Sequence, residues 1–268
     1  MSKIFQMKGG VETITKEDFR ITLSWSDLVG SFSQDIPSIV PLPHRWQKDS
    51  RSPPGSPRPL SAISLQWKQQ LPMELDWITV FDDISQLLAL DRGFNQKELD
   101  GAATTGSWME PTMVRLLAIR PLARGSERGH VIEEVSRLGT MLFLAPIWRW
   151  FGASPVWTFT ITRNLLSILN GHMVEWEELK PLLAWSVYFA AIETRDTQER
   201  SQFVFILAVL MGGWQIQKWD ELMDVVKSVL WVDLVFAGSD DAIRQDVLSI
   251  MQMPASDITP ITEIVNDA

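Results

Sequence analysis

Apolar residues recur along this chain at helical spacing and seldom in strict alternation. Val131, Val135, Leu138, Leu142 and Ala145 share one stripe of the segment 131–145, with Glu133, Glu134 and Arg137 beside or opposite it. That pattern predicts a core helix with its charges turned away from the stripe. Segments 176–185 and 219–231 follow in the same style, an acidic start ahead of an apolar run with tryptophans at the ends. Few stretches alternate with period two, so strands are not expected.

Start and stop signals divide the rest. Glu17 and Asp18 suit the first turn of a helix begun at Thr15 or Lys16, since acids favour the positive end of the helix dipole. Phe19, Leu23, Ser26 and Gly30 form its inward face, widened by Trp25, Leu28 and Phe32, and it should end near residues 34–36. Prolines then dominate to Pro59, and a surface linker is expected there. Helical texture returns from 60 to 91, ended by Gly93 or Asn95. Glu110 and Pro111 open a further short helix. Ser154 and Pro155 read as a start and Gly171 as a stop. Pro181 marks the first turn of the next helix, with Leu183, Val187 and Ala190 inward. Asp196 or Thr197 caps another that closes at Gly212 and Gly213. Segment 219–236 is expected as one helix ended by Gly238, and Ile243, Val247 and Ile250 mark a short last one. The expected organisation is an all-α, bundle-like domain. It has a helical segment at 1–36, a proline-rich linker at 37–59, a helical body at 60–253 and a polar, acidic tail at 254–268.

Composition narrows the function classes. In 268 residues, 46% hydrophobic and 21% charged, a packed core is expected. A net charge of −9 opposes direct nucleic-acid binding, which needs a basic face, and the one basic stretch, 45–58, is threaded with prolines. Cysteine is absent, so disulfides, thiolate zinc sites and a cysteine nucleophile are excluded. No signal core opens the chain and no apolar run reaches the roughly 18 residues of a spanning helix. A soluble, intracellular protein without membrane contact is therefore expected.

Candidate chemistry is sparse. Asp82 and Asp83, with Asp91 and Glu98 next along the chain, resemble the aspartate-rich clusters of helical terpene synthases. No matching second cluster appears, and surface acids are the ordinary reading. His44, His130 and His172 include no pair at helical metal-binding spacing. No nucleophile elbow or phosphate-cradling glycine loop occurs. No catalytic, cofactor-binding or metal-ligating residue is assigned, and no enzyme activity or cofactor is expected. Thirteen tryptophans are many for this length. Trp25, Trp77, Trp176, Trp185, Trp219 and Trp231 are expected to pack at helix ends and crossings. Trp148, Trp150 and Trp157, close to a loop with Arg149 between them, are expected to be exposed and are the candidate partner-binding residues.

The order of motifs carries a resemblance. Phe5-Gln-Met-Lys-Gly-Gly-Val11, a helix bearing Leu23-Ser-Trp-Ser-Asp27 and then a proline-rich break come first. Glu134-Val-Ser-Arg-Leu-Gly-Thr-Met-Leu-Phe-Leu144 follows, and then the tryptophan helices around Trp176, Trp185, Trp219 and Trp231. Together they resemble the fungal-specific transcription factor domain, the regulatory region of fungal zinc-cluster regulators, with Ser136 where that family usually has cysteine. The resemblance implies an all-helical regulatory domain in the nucleus that contacts other proteins, such as a DNA-binding regulator, or a small effector. The family's zinc-cluster module has no counterpart here, so zinc and direct DNA binding are not implied. The resemblance also implies that the chain starts partway through such a domain, as a stand-alone homologue or a truncated regulator. A metal-dependent helical enzyme built on Asp82, Asp83 and Glu98, and a non-functional fragment, remain the alternatives.

Overall fold

The computed structural model describes residues 14, 16–43, 109–150, 152, 155–172 and 174–252, and among them every regular element is helical. The expected all-α fold is the one observed. The helices are α1 (Glu17–Gln34), α2 (Glu110–Ala118), α3 (Arg128–Trp150), α4 (Phe159–Gly171) and α5 (Lys180–Glu193). After them come α6 (Thr197–Gly213), α7 (Trp219–Lys227), the single turn α8 (Asp233–Phe236) and α9 (Asp241–Gln252). The expected start and stop at Asp196 and Gly213 hold. The Asp196 carboxylate accepts from the Gln198 and Glu199 amides, satisfying two donors that the first turn of α6 leaves free.

Helices α3 and α5 form the central pair. Helix α4 packs on α3, α6 and α7 on α5, α9 on α6, and α1 against α2 and α4. Both central helices are enclosed on nearly every side. Residues 182–191 of α5 are all buried, and so is α3 from Glu134 to Ala145. A helix surrounded in this way needs apolar residues all round instead of one stripe. Their axes approach closely at Gly139, where an added Cβ would stand 2.3 Å from Ser186 Oγ and 2.9 Å from Ser186 Cα. One end of the pair is filled by rings. Phe143 lies 5.2 Å from Trp185, 5.0 Å from Phe189 and 5.5 Å from Phe236, and Trp231 lies 5.3 Å from Phe236.

Several expectations are corrected. Segment 219–236 is two helices, because the chain leaves α7 after Lys227 through a turn at 228 and 229 and resumes helix only at Asp233. The buried Trp185 indole N–H donates to the Leu230 carbonyl at 2.8 Å, capturing an acceptor that a continuous helix would have used internally. On α1, Phe19 and Ser26 are exposed, and the buried positions are Ser24, Leu28, Ser31 and Phe32. Helix α4 begins at Phe159, not at Pro155. Residues 155–158 form no helix, and Arg149 Nη1 donates to the Val156 carbonyl at 3.1 Å. The proline-rich stretch starts in contact with α1. The Asp27 carboxylate accepts from the Ser38 hydroxyl and the Ile39 and Val40 amides, and Ser24 Oγ donates to the Pro41 carbonyl.

Glu134 and Arg137, expected beside or opposite the stripe, are instead deep in the molecule. The Arg137 side chain is 1% exposed and Asp35, just past the end of α1, is 5% exposed. Arg137 donates to both Asp35 oxygens, at 2.7 and 3.0 Å, and pairs with both oxygens of Glu134 one turn earlier on α3. Arg120 donates to Asp35 Oδ1 and to its backbone carbonyl, and Asn164 of α4 donates to Oδ2 at 2.9 Å. Two guanidinium groups and two carboxylates thus balance, and the bonds to Asp35 tie the end of α1 to Arg120, α3 and α4. Burial opposes the Asp35 charge. The hydrogen bond and charge of Arg137, the charge of Arg120 and the Asn164 hydrogen bond outweigh it and hold the carboxyl below its ordinary value. The same partners outweigh burial at Arg137 and keep its proton on more firmly than usual.

Two outcomes follow. Gly139→Ala should lower unfolding stability by roughly 1–3 kcal/mol, because Ser186 presents backbone as well as side chain to the new methyl. Gly30→Ala, with open space around it, should be neutral or stabilising; equal effects at the two sites in urea denaturation would contradict the close approach. Asp35→Asn keeps the left-handed backbone that Asp35 adopts at φ 51° but removes its charge. The variant should be less stable at neutral pH by roughly 3–5 kcal/mol. Because the folded value lies below the unfolded one, the wild-type advantage is complete above the unfolded carboxylate value of about 3.9 and fades as pH falls through the folded value. Melting curves of the two proteins should therefore converge in acid, and a gap that persists there would contradict this account.

Candidate functional site: an arginine–aromatic cleft

Four helix ends meet on one side of the bundle. Helices α3 and α5 finish there with Arg149 and Glu193, and α4 and α6 start there with Phe159 and Glu199 near their first turns. Between them lies a cleft of about 320 Å³ lined by Arg149, Val156, Trp157, Thr158, Phe159, Thr162, Ile192, Glu193, Arg195 and Glu199. Its floor is an ion pair between Arg149 and Glu193, whose side chain is only 6% exposed. Arg149 also holds the Val156 carbonyl, so one guanidinium fixes both the end of α5 and the strap of residues 155–158 that carries Trp157. Gly152, two residues past the end of α3, holds φ 90° in the left-handed region that favours glycine.

The rim is aromatic and cationic. Trp157 and Phe159 are each 52% exposed. The Arg195 guanidinium lies 5.4 Å from the Trp157 ring centre, and that of Arg163 lies 4.1 Å from the Phe159 ring centre. Both distances fall within cation–π range. Arg163 also stands 3.5 Å from a Glu199 oxygen, whereas the other oxygen, Oε2, is shielded from water and takes no hydrogen bond among the described residues. The Thr162 hydroxyl is occupied with the Phe159 carbonyl.

The three candidate tryptophans separate. Trp157 lies on the rim, and Trp150, on the last turn of α3, is 40% exposed without lining the cleft. Trp148 was expected to be exposed and is buried instead. It meets Trp25 and Phe32 of α1 edge to face at 5.4 and 5.5 Å. The reason is that α3 continues through Pro146 to Trp150, and two residues along a helix turn the side chain by roughly 200°. One of the pair must face inward. Of the expected packing tryptophans, Trp176, Trp185 and Trp219 are buried and Trp25 and Trp231 pack against the core; Trp77 lies outside the described residues.

Arg195, Phe159, Glu193 and Glu199 carry no sequence signal of their own. Arg195 merely precedes a helix cap, and the four meet only because α4 and α6 begin beside the ends of α3 and α5. Asp82, Asp83, Asp91, Glu98 and His44 lie outside the described residues. His130 sits near the start of α3, its Nδ1 shielded without a hydrogen-bond partner among the described residues, and His172 ends α4 with its amide donating to the Ile168 carbonyl. Among the described residues no group of three histidines or acids is arranged to hold a metal ion, and no helix is long and apolar enough to cross a membrane. No protein-family model matches the chain, and no curated protein or solved structure matches it either.

Proposed function

We propose that this chain is a non-catalytic helical regulatory domain of the kind found in fungal-specific transcription factors. On this reading it works in the nucleus by contacting other proteins, among them a DNA-binding regulator, and does not touch DNA itself. The observation that carries it is the exposed rim of Trp157 and Phe159 beside Arg149 and Arg195, with Trp150 exposed on the last turn of α3. Tryptophan and arginine dominate the energetics of protein interfaces, where a ring gives large contact area and a guanidinium gives directed hydrogen bonds. The net charge of −9 supports a protein partner over a phosphate backbone.

The motifs behind the resemblance supply the scaffold. Glu134 and Arg137 form the buried ion cluster, and Ser136 is buried with its hydroxyl bonded to the Ile132 carbonyl. The Trp219 and Trp231 indoles donate to Asp240 and Asp233. Such residues specify a fold, and the surface built upon it sets the partner. Nothing among the described residues favours the alternative of a metal-dependent enzyme, whose Asp82, Asp83 and Glu98 lie beyond them.

A reporter assay tests the proposal. Tethered to an unrelated DNA-binding domain, the chain should change transcription several-fold over the tether alone. Trp150→Ala combined with Trp157→Ala should remove most of that change while leaving the melting temperature within a few degrees, as expected for exposed positions. A wild-type chain without effect, or a double variant as active as the wild type, would overturn it.

A further inference from the structure

We infer that the cleft binds a small aromatic carboxylate, its ring against Trp157 and Phe159 and its anionic group on Arg195. This rests on reading the rim as a binding surface and names a ligand class for it. The charge arrangement selects the sign. The lining places the guanidinium groups of Arg149 and Arg195 beside the carboxylates of Glu193 and Glu199, with Arg163 just outside it over the Phe159 ring. Arg149 is committed to Glu193 and the Val156 carbonyl, and Arg163 faces Glu199. Arg195 makes its ring contact with Trp157 and no hydrogen bond or ion pair among the described residues. Among the cleft's lining arginines, Arg195 is thus the one whose guanidinium no carboxylate engages among the described residues.

A guanidinium lying over a ring keeps its N–H edge free for the two oxygens of a carboxylate. Helix α4 adds to the attraction, since its first turn lines the cleft and the Thr158 side chain does not cap it. A cationic ligand is disfavoured by the same geometry. A cation would stand beside the Arg195 guanidinium, and Glu193 is already paired with Arg149. Size selects the rest. About 320 Å³ is at the small end of ligand pockets, enough for one fused ring and a short acid arm. A ring N–H or hydroxyl on the same ligand has an acceptor in Glu199 Oε2, which is shielded and takes no hydrogen bond among the described residues.

Calorimetric titration of the full chain with indole-3-acetate and with its neutral amide tests this. The acid should bind saturably at one site, the amide about tenfold more weakly, as expected when a charge-assisted contact is lost. Arg195→Gln should weaken the acid by a similar factor and leave the amide unchanged. Arg244→Gln, an exposed arginine on α9, should alter neither. No saturable binding, equal affinity for acid and amide, or an Arg195→Gln protein that binds the acid like wild type would each overturn the inference. Its failure alongside an intact reporter response to Trp150 and Trp157 would remove this ligand and keep the partner-binding reading; failure of both would remove the surface itself.

Discussion

A guanidinium sealed inside a helical bundle has few ways to be stable, and that of Arg137 uses most of them. Its donors meet Asp35 and Glu134, its Nη1 also lies 3.4 Å from the Met141 sulfur, and Asn164 and Arg120 complete the coordination of Asp35. Desolvating such a charge is expensive, and removing any one partner leaves another charge buried without compensation. The cluster thus works as a specification. It admits α1 in one position only, with Asp35 at the left-handed residue just past its end, and it fixes α3 and α4 around that point. The apolar packing of Leu28 and Phe32 alone would tolerate sliding, because burial energy has no direction.

The cleft inherits its geometry from this arrangement. Arg149 follows Arg137 by twelve residues on the same helix, so α3 carries the constraint along a rod of about 18 Å to the cleft floor. There Arg149 repeats the device at partial exposure, holding Glu193 of α5 and the strap before α4. Trp148 links the two, with Trp25 and Phe32 of α1 against its ring. The exposed rings of Trp157 and Phe159 are consequently presented by backbone that three helices immobilise. A rigid aromatic surface loses little conformational freedom on binding, which is why such surfaces bind well for their area.

Much of the fold is legible in the residue pattern, because helix punctuation is local. Asp196, Pro181, Gly171 and Gly213 mark their boundaries through backbone chemistry that does not depend on the rest of the chain. What periodicity hides is environment. Glu134 and Arg137 look like an exposed pair one turn apart, and only Asp35, 102 residues earlier than Arg137, makes their burial intelligible. Likewise the interruption after Lys227 depends on Trp185 reaching the Leu230 carbonyl across 45 residues. The candidate site was half legible. Clustered tryptophans pointed to the side of the bundle where the cleft lies, but separating Trp148 from Trp150 required knowing that the helix runs on past Pro146. Arg195 and Glu199 become neighbours of Trp157 only when the helix ends converge.

The dependence of the bundle on its buried ion cluster can be measured by a double-mutant cycle in urea between Asp35→Ala and Arg137→Ala, both in the full chain. If the two side chains lock α1 onto α3, their effects should be strongly non-additive, with a coupling energy of about 2 kcal/mol or more. A coupling below about 0.5 kcal/mol would mean that each residue contributes independently. The cluster would then be a consequence of the fold and not the constraint that sets it.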